Sequence, residues 1–74
     1  MARPMTYDKK LSWPEVVGWT LLQAMGKIHA DRPDIAFELH YVGENVPPGF
    51  DDKRVRLFLN RDPQGTVALT PVVG

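Results

Sequence analysis

The sequence contains no cysteine. No disulfide can staple the fold, and no thiolate is present to serve as nucleophile or metal ligand. This absence is compatible with a reducing compartment. Net charge is lacking too, because nine basic side chains cancel nine acidic ones. The basic residues are scattered apart from Lys53, Arg54 and Arg56, which argues against a phosphate-backbone binder, so no nucleic-acid partner is expected. No apolar run approaches the ~20 residues needed to cross a bilayer, so no membrane partner is expected either. The opening residues Met1-Ala2-Arg3-Pro4-Met5 hold no apolar stretch of signal-peptide length, and localisation stays open. Histidine is limited to His29 and His40. No serine or threonine stands in a recognisable motif beside them, and the carboxylates do not show metal-ligand spacing. The expectation is no enzyme, no metal and no cofactor.

What is present fits one small domain. A chain of 74 residues buries only roughly 60% of the surface its unfolded form exposes. That interior is too thin to house a large cofactor or a deep substrate cavity. Residues 1–10 carry Pro4, Lys9 and Lys10 with little periodicity and read as a flexible arm, leaving 11–74 as the domain. Trp13 stands beside Pro14, and a large apolar surface next to a φ-fixing proline suits the anchor of a turn.

Thr20 followed three residues later by Gln23 predicts a capping box at a helix start. Leu21, Ala24, Met25 and Ile28 then form one apolar stripe, and Arg32-Pro33 ends the helix. From Asp34 to Val42 the residues alternate, predicting a strand with Ile35, Phe37, Leu39 and Tyr41 on its buried face. A second strand, 54–59, turns Val55, Leu57 and Leu59 inward and Arg54, Arg56 and Phe58 outward. Residues 60–65 are dense in turn formers, and 66–69 reads as a short last strand.

Between the two long strands lies the segment from Gly43 to Lys53. Its eleven residues exceed the usual hairpin loop of roughly two to five. Parallel pairing would explain the length, since parallel strands demand a long connection. Binding residues concentrate on loops held by a rigid scaffold, which makes this segment the functional candidate.

Five stretches in order resemble the potato inhibitor I family of serine protease inhibitors. They are Trp13-Pro14-Glu15-Val16-Val17-Gly18, the capped helix, Tyr41-Val42-Gly43, Arg54-Val55-Arg56-Leu57-Phe58 and Pro71-Val72-Val73-Gly74. The resemblance implies an α+β fold, with one helix packed on a small mixed sheet and a long exposed binding loop between two parallel strands. It also implies that residues Asn45, Val46, Pro47, Pro48, Gly49 and Phe50 dock in a protease cleft as a substrate would. By family position the scissile bond joins Pro48 to Gly49, with Arg54 and Arg56 supporting the loop from beneath. The implied partner is a subtilisin-like or chymotrypsin-like serine protease.

The loop tip departs from that pattern at three consecutive positions. Pro47 stands where the family has a hydroxyl, Pro48 at the specificity position and Gly49 where it has an acid. The side chains that would receive Arg54 and Arg56 are gone, and Asp51, Asp52 and Glu44 are the substitute acceptors this sequence offers. Pro48 fills the usual pockets poorly and lacks the N–H of a docking strand. A shifted register would present Phe50 or Val46 instead, and Phe50 has the alternative of folding down onto the sheet. Two readings of function follow: an inhibitor weakened or retargeted at its tip, or a non-inhibitory interaction module on the same scaffold. A monomer is expected, with self-association through an exposed strand edge as the variant.

Overall fold

The computed structural model describes residues 9–74, so the expected arm falls largely outside the described residues. A single 3₁₀ turn at Pro14–Val16 leads to helix α1, Leu21–Asp31, and then to strands β1, Ala36–Tyr41, and β2, Arg54–Leu59. The capping box forms as the sequence predicts. The Thr20 hydroxyl oxygen accepts from the Gln23 backbone N–H at 3.4 Å, and Gln23 Oε1 accepts from the Thr20 N–H at 3.2 Å. Two of the four orphan donors at the helix start are thereby satisfied. Arg32 is the C-cap, because the residue before a proline is pushed out of helical geometry.

β1 and β2 pair in parallel, with Ala36 opposite Arg54 and Tyr41 opposite Leu59. The expected mixed sheet is reduced to this pair plus isolated antiparallel bridges, Ser12 with Val72, Thr20 with Thr66, Val55 with Val73 and Leu59 with Val67. The predicted strand at 66–69 is thus only two bridging residues. Thr66 is held by the preceding turn, where its N–H and hydroxyl both bond the Asp62 carboxylate, and the last bond from this stretch to β2 is from the Ala68 N–H to the Phe58 carbonyl at 2.8 Å.

Trp13, Val16, Ala24, Ile28, Ile35, Val55, Leu57, Leu59 and Val67 make the core, with Leu21, Met25, Phe37 and Val73 packed on its edge. Trp13 is completely buried, and its indole N–H donates to Asp31 at 3.0 Å, which joins the N-terminal segment to the end of α1. β2 matches its expected alternation. β1 matches at Ile35 and Phe37 but departs at Leu39 and Tyr41, which are 48% and 44% exposed. They lie at the far end of β1, where Leu21, the first residue of α1, meets them across a shallow depression. The helix begins there and covers no more of the strand.

Among the described residues one charged side chain is buried, that of Arg32. The Arg32 guanidinium forms a fork on Asp34 with two bonds of 2.9 Å, and donates to the Lys10 carbonyl at 3.0 Å. That arginine holds the Asp34 carboxyl far below the usual carboxylate range. Bidentate geometry and the extra carbonyl bond offset the desolvation of the charge.

Gly26 occupies an exposed interior position of α1, and no atom lies within 4 Å of where a Cβ would project. Gly26→Ala is expected to raise unfolding free energy by about 0.5–1 kcal/mol, read from urea denaturation.

Candidate functional site

The crossover between β1 and β2 starts with a tight turn. The Glu44 N–H donates to the Tyr41 carbonyl at 3.1 Å, and Gly43 sits at φ 92°. A positive φ at the third position of such a turn favours glycine, which lacks the clashing Cβ. Beyond it, Val46 is half-buried and every other residue of the loop is exposed. Among the described residues, Asn45, Val46, Pro47 and Pro48 receive and donate no hydrogen bond within the chain. Two consecutive prolines fix φ near −65° and stiffen this stretch without any bond to the scaffold. Its edges are therefore free to pair with another chain.

The far side of the loop is tied down. The Asp51 N–H donates to the Gly74 carbonyl at 3.1 Å, the Arg54 N–H to the Asp51 carbonyl at 3.2 Å, and the Lys53 N–H to Asp51 Oδ1 at 2.9 Å. Gly74 is itself fixed, its N–H donating to the Arg54 carbonyl at 2.8 Å. The C-terminal segment thus forms a floor under the end of the loop.

Arg54 and Arg56 point to the same side of β2 and divide the support. The Arg54 guanidinium donates to the Gly49 carbonyl at 3.1 Å and, through Nε, to the Gly74 carbonyl at 3.2 Å. Arg56 bonds the Glu38 carboxylate at 3.0 Å, and Arg54 Nη1 approaches the same group at 3.6 Å. Asp51, Asp52 and Glu44 do not act as the arginines' acceptors. Asp51 serves the Lys53 N–H, the Glu44 carboxylate faces His40 and the Tyr41 N–H, and Asp52 offers its carbonyl to Arg32 at 3.5 Å. A backbone carbonyl accepts whatever the side chain is, so a glycine at position 49 still receives Arg54.

Val46, Gly49, Phe50, Arg56, Phe58 and Val72 help to line an open cleft of about 370 Å³ between loop and sheet. Phe50 takes an intermediate position: one edge of its ring lies against Gly74, yet the residue is 75% exposed. No group of three or more His, Asp or Glu side chains placed to hold a metal occurs among the described residues.

His40, to which no motif in the sequence assigns a role, has a defined environment. Its ring lies between Glu38 and Glu44, and stacks on Phe58 with centroids 5.4 Å apart. A signal was present. Glu38 and His40 are two apart on a strand and share a face with Arg56 across the pair.

Replacing Arg54 by Met removes its charge-assisted bonds to the Gly49 and Gly74 carbonyls, each such bond worth about 1.5–3 kcal/mol. Amide protection at Asp51 and Gly74, whose N–H groups are both hydrogen-bonded, is expected to fall by roughly tenfold or more, since 1.4 kcal/mol is a factor of ten. Arg56→Met leaves the Gly49 carbonyl bonded and should change these amides less. Hydrogen exchange followed by NMR distinguishes the two variants.

Three comparisons bear on this geometry. The sequence is 42% identical over 65 residues to the chymotrypsin inhibitor of Lumbricus terrestris, covering 88% of this chain and 73% of that protein. It is 37% identical over 65 residues to subtilisin inhibitor 1 of Phaseolus angularis, covering 88% and 68% respectively. The fold superposes on the crystal structure of bitter gourd trypsin inhibitor with a TM-score of 0.81 at 32% identity, covering 89% of this chain and 94% of that one. The sequence profile of one family matches residues 4–74, and with the fold and the loop described above it is clear that the chain belongs to the potato inhibitor I family.

Proposed function

We propose that this protein inhibits serine proteases by presenting residues 45–50 to the protease cleft in the manner of a substrate. The observation that carries the reading is the loop's state before binding. Among the described residues Asn45–Pro48 make no internal hydrogen bonds and all but half-buried Val46 are exposed, while the stretch from Gly49 onward is fixed by Arg54, Gly74 and the Asp51 turn. Inhibitors named for chymotrypsin, subtilisin and trypsin share the family or the fold. A loop already held in its bound shape loses little conformational entropy on docking, so more of the contact energy appears as affinity. A stiff, unpaired backbone is also what strand-like docking uses.

The bond between Pro48 and Gly49 is the proposed reactive bond, with Asn45, Val46 and Pro47 on one side and Phe50 on the other. Arg54 supports it directly through the Gly49 carbonyl, and Arg56 supports it through Glu38. After cleavage the Gly49 side of the bond stays held by Arg54, which keeps that new end in place. Pro48 offers a specificity pocket a small, rigid ring in place of a long side chain. Affinity for proteases with deep apolar pockets is therefore reduced, and enzymes that accept proline are the preferred targets. In this reading the chain acts on proteases as a binder and carries no catalytic group of its own.

Titration of subtilisin, chymotrypsin, trypsin and a proline-specific serine protease tests the proposal. At least one enzyme is expected to be inhibited at micromolar concentration, with slow cleavage between Pro48 and Gly49 visible by mass spectrometry. Pro48→Tyr should raise affinity for chymotrypsin by about tenfold or more, since a well-filled pocket is worth upward of 1.4 kcal/mol. No inhibition by any of the four would leave the loop as a non-inhibitory interaction surface.

A further inference from the structure

The His40 ring has a carboxylate on each nitrogen. Nδ1 lies 2.9 Å from Glu44 Oε1 and Nε2 contacts Glu38 Oε2, while only 15% of the side chain is exposed. A carboxylate only accepts, so both contacts are hydrogen bonds only when both ring nitrogens carry protons. A neutral ring of either tautomer would turn a lone pair on one of the two carboxylates. The geometry therefore specifies imidazolium.

The cluster joins the two sides of the loop. Glu44 is in the loop's first turn, where its second oxygen accepts from the Tyr41 N–H at 3.1 Å. Glu38 is shared with Arg56 and approached by Arg54, and Arg54 holds the Gly49 carbonyl. A continuous polar chain thus runs from Glu44 through His40, Glu38 and Arg54 to Gly49. We propose that charged His40 is a positioning residue for the loop: it clamps Glu44 to Glu38 at the loop's root, and the loop slackens when the ring gives up its proton. This rests on the reading of residues 45–50 as the docking segment.

The charged groups around the ring decide which contact fails. Glu38 keeps Arg54 and Arg56 when His40 is neutral. Glu44 then keeps only the Tyr41 N–H and has no other side-chain partner in hydrogen-bond contact among the described residues; its remaining cationic neighbour is Arg61, which lies over the Tyr41 ring. The loop side of the clamp is the side that lets go. Bonds from Glu38 first, and Glu44 next, keep the His40 proton on above its ordinary value of 6.5. A group with a raised folded value contributes fully below the unfolded value, and its contribution is lost as pH rises through the folded one. The loop is tightest below the ordinary imidazole value and slackens as pH rises through the raised one.

NMR titration of the His40 ring in the intact chain, with amide exchange across the loop, tests this. The wild-type ring should titrate above 6.5, and in Glu44→Gln its midpoint should move down. Once corrected for base catalysis, protection at Tyr41 and Glu44 should fall severalfold across the wild-type midpoint. In His40→Gln it should be low at every pH. Titration of the wild-type ring at or below the ordinary imidazole value overturns the proposal, as does a His40→Gln chain that keeps the wild-type pH dependence. Should His40→Gln fail to fold, the wild-type titration and Glu44→Gln decide it alone. Neither readout involves a protease, so a working clamp on a chain that inhibits nothing would remove the proposed function and leave the clamp standing.

Discussion

Parallel pairing of β1 with β2 is the constraint on which the functional architecture depends. Two strands that run the same way cannot be joined by a tight turn, so the chain must travel the length of the pair outside the sheet. In most folds a helix fills that crossover. Here α1 precedes both strands and packs against the core formed with β2, and the crossover is left as an open loop. Exposure of Asn45–Phe50 thus follows from strand direction, and the strand direction is held by the burial of Ile35, Val55, Leu57 and Leu59.

A loop so made needs support that the core cannot give. The outward face of β2 supplies it, because alternation places Arg54 and Arg56 under the loop whenever Val55 and Leu57 face the core. Arg54 works on backbone carbonyls, and the structure shows why the unusual tip tolerates this. Gly49 and Gly74 have no side-chain acceptor, yet each offers its carbonyl oxygen. Support of this kind constrains the path of the chain and leaves the side chains at positions 47–49 free to vary. The cost of stretching the tip without internal bonds is limited by Pro47 and Pro48, which have few conformations to lose.

Several structural elements were legible in the sequence because they depend on neighbours along the chain. The Thr20–Gln23 box, the stripe through Ala24 and Ile28, and the alternation of β2 rest on local period and local hydrogen bonding. The exposed ends of β1 and the loss of the 66–69 strand were not legible. Leu39 and Tyr41 alternate as buried residues do, but whether anything covers them depends on where α1 starts. Arg32 read as a helix stop, and its role as the buried ion at the junction of Lys10, Asp34 and Asp52 depends on three segments meeting.

The candidate site divides along the same line. The sequence by itself determined the loop's position, its length, its rigid prolines and the pair of arginines after it, since all of these are properties of order and spacing. Tertiary structure decided what the arginines hold. It gave Arg54 the carbonyls of Gly49 and Gly74, gave Arg56 to Glu38, and set His40 between two carboxylates. The physical reason is that hydrogen-bond partners across a fold are chosen by distance and direction in space. A sequence read one residue at a time contains the donors, but backbone acceptors carry no residue label.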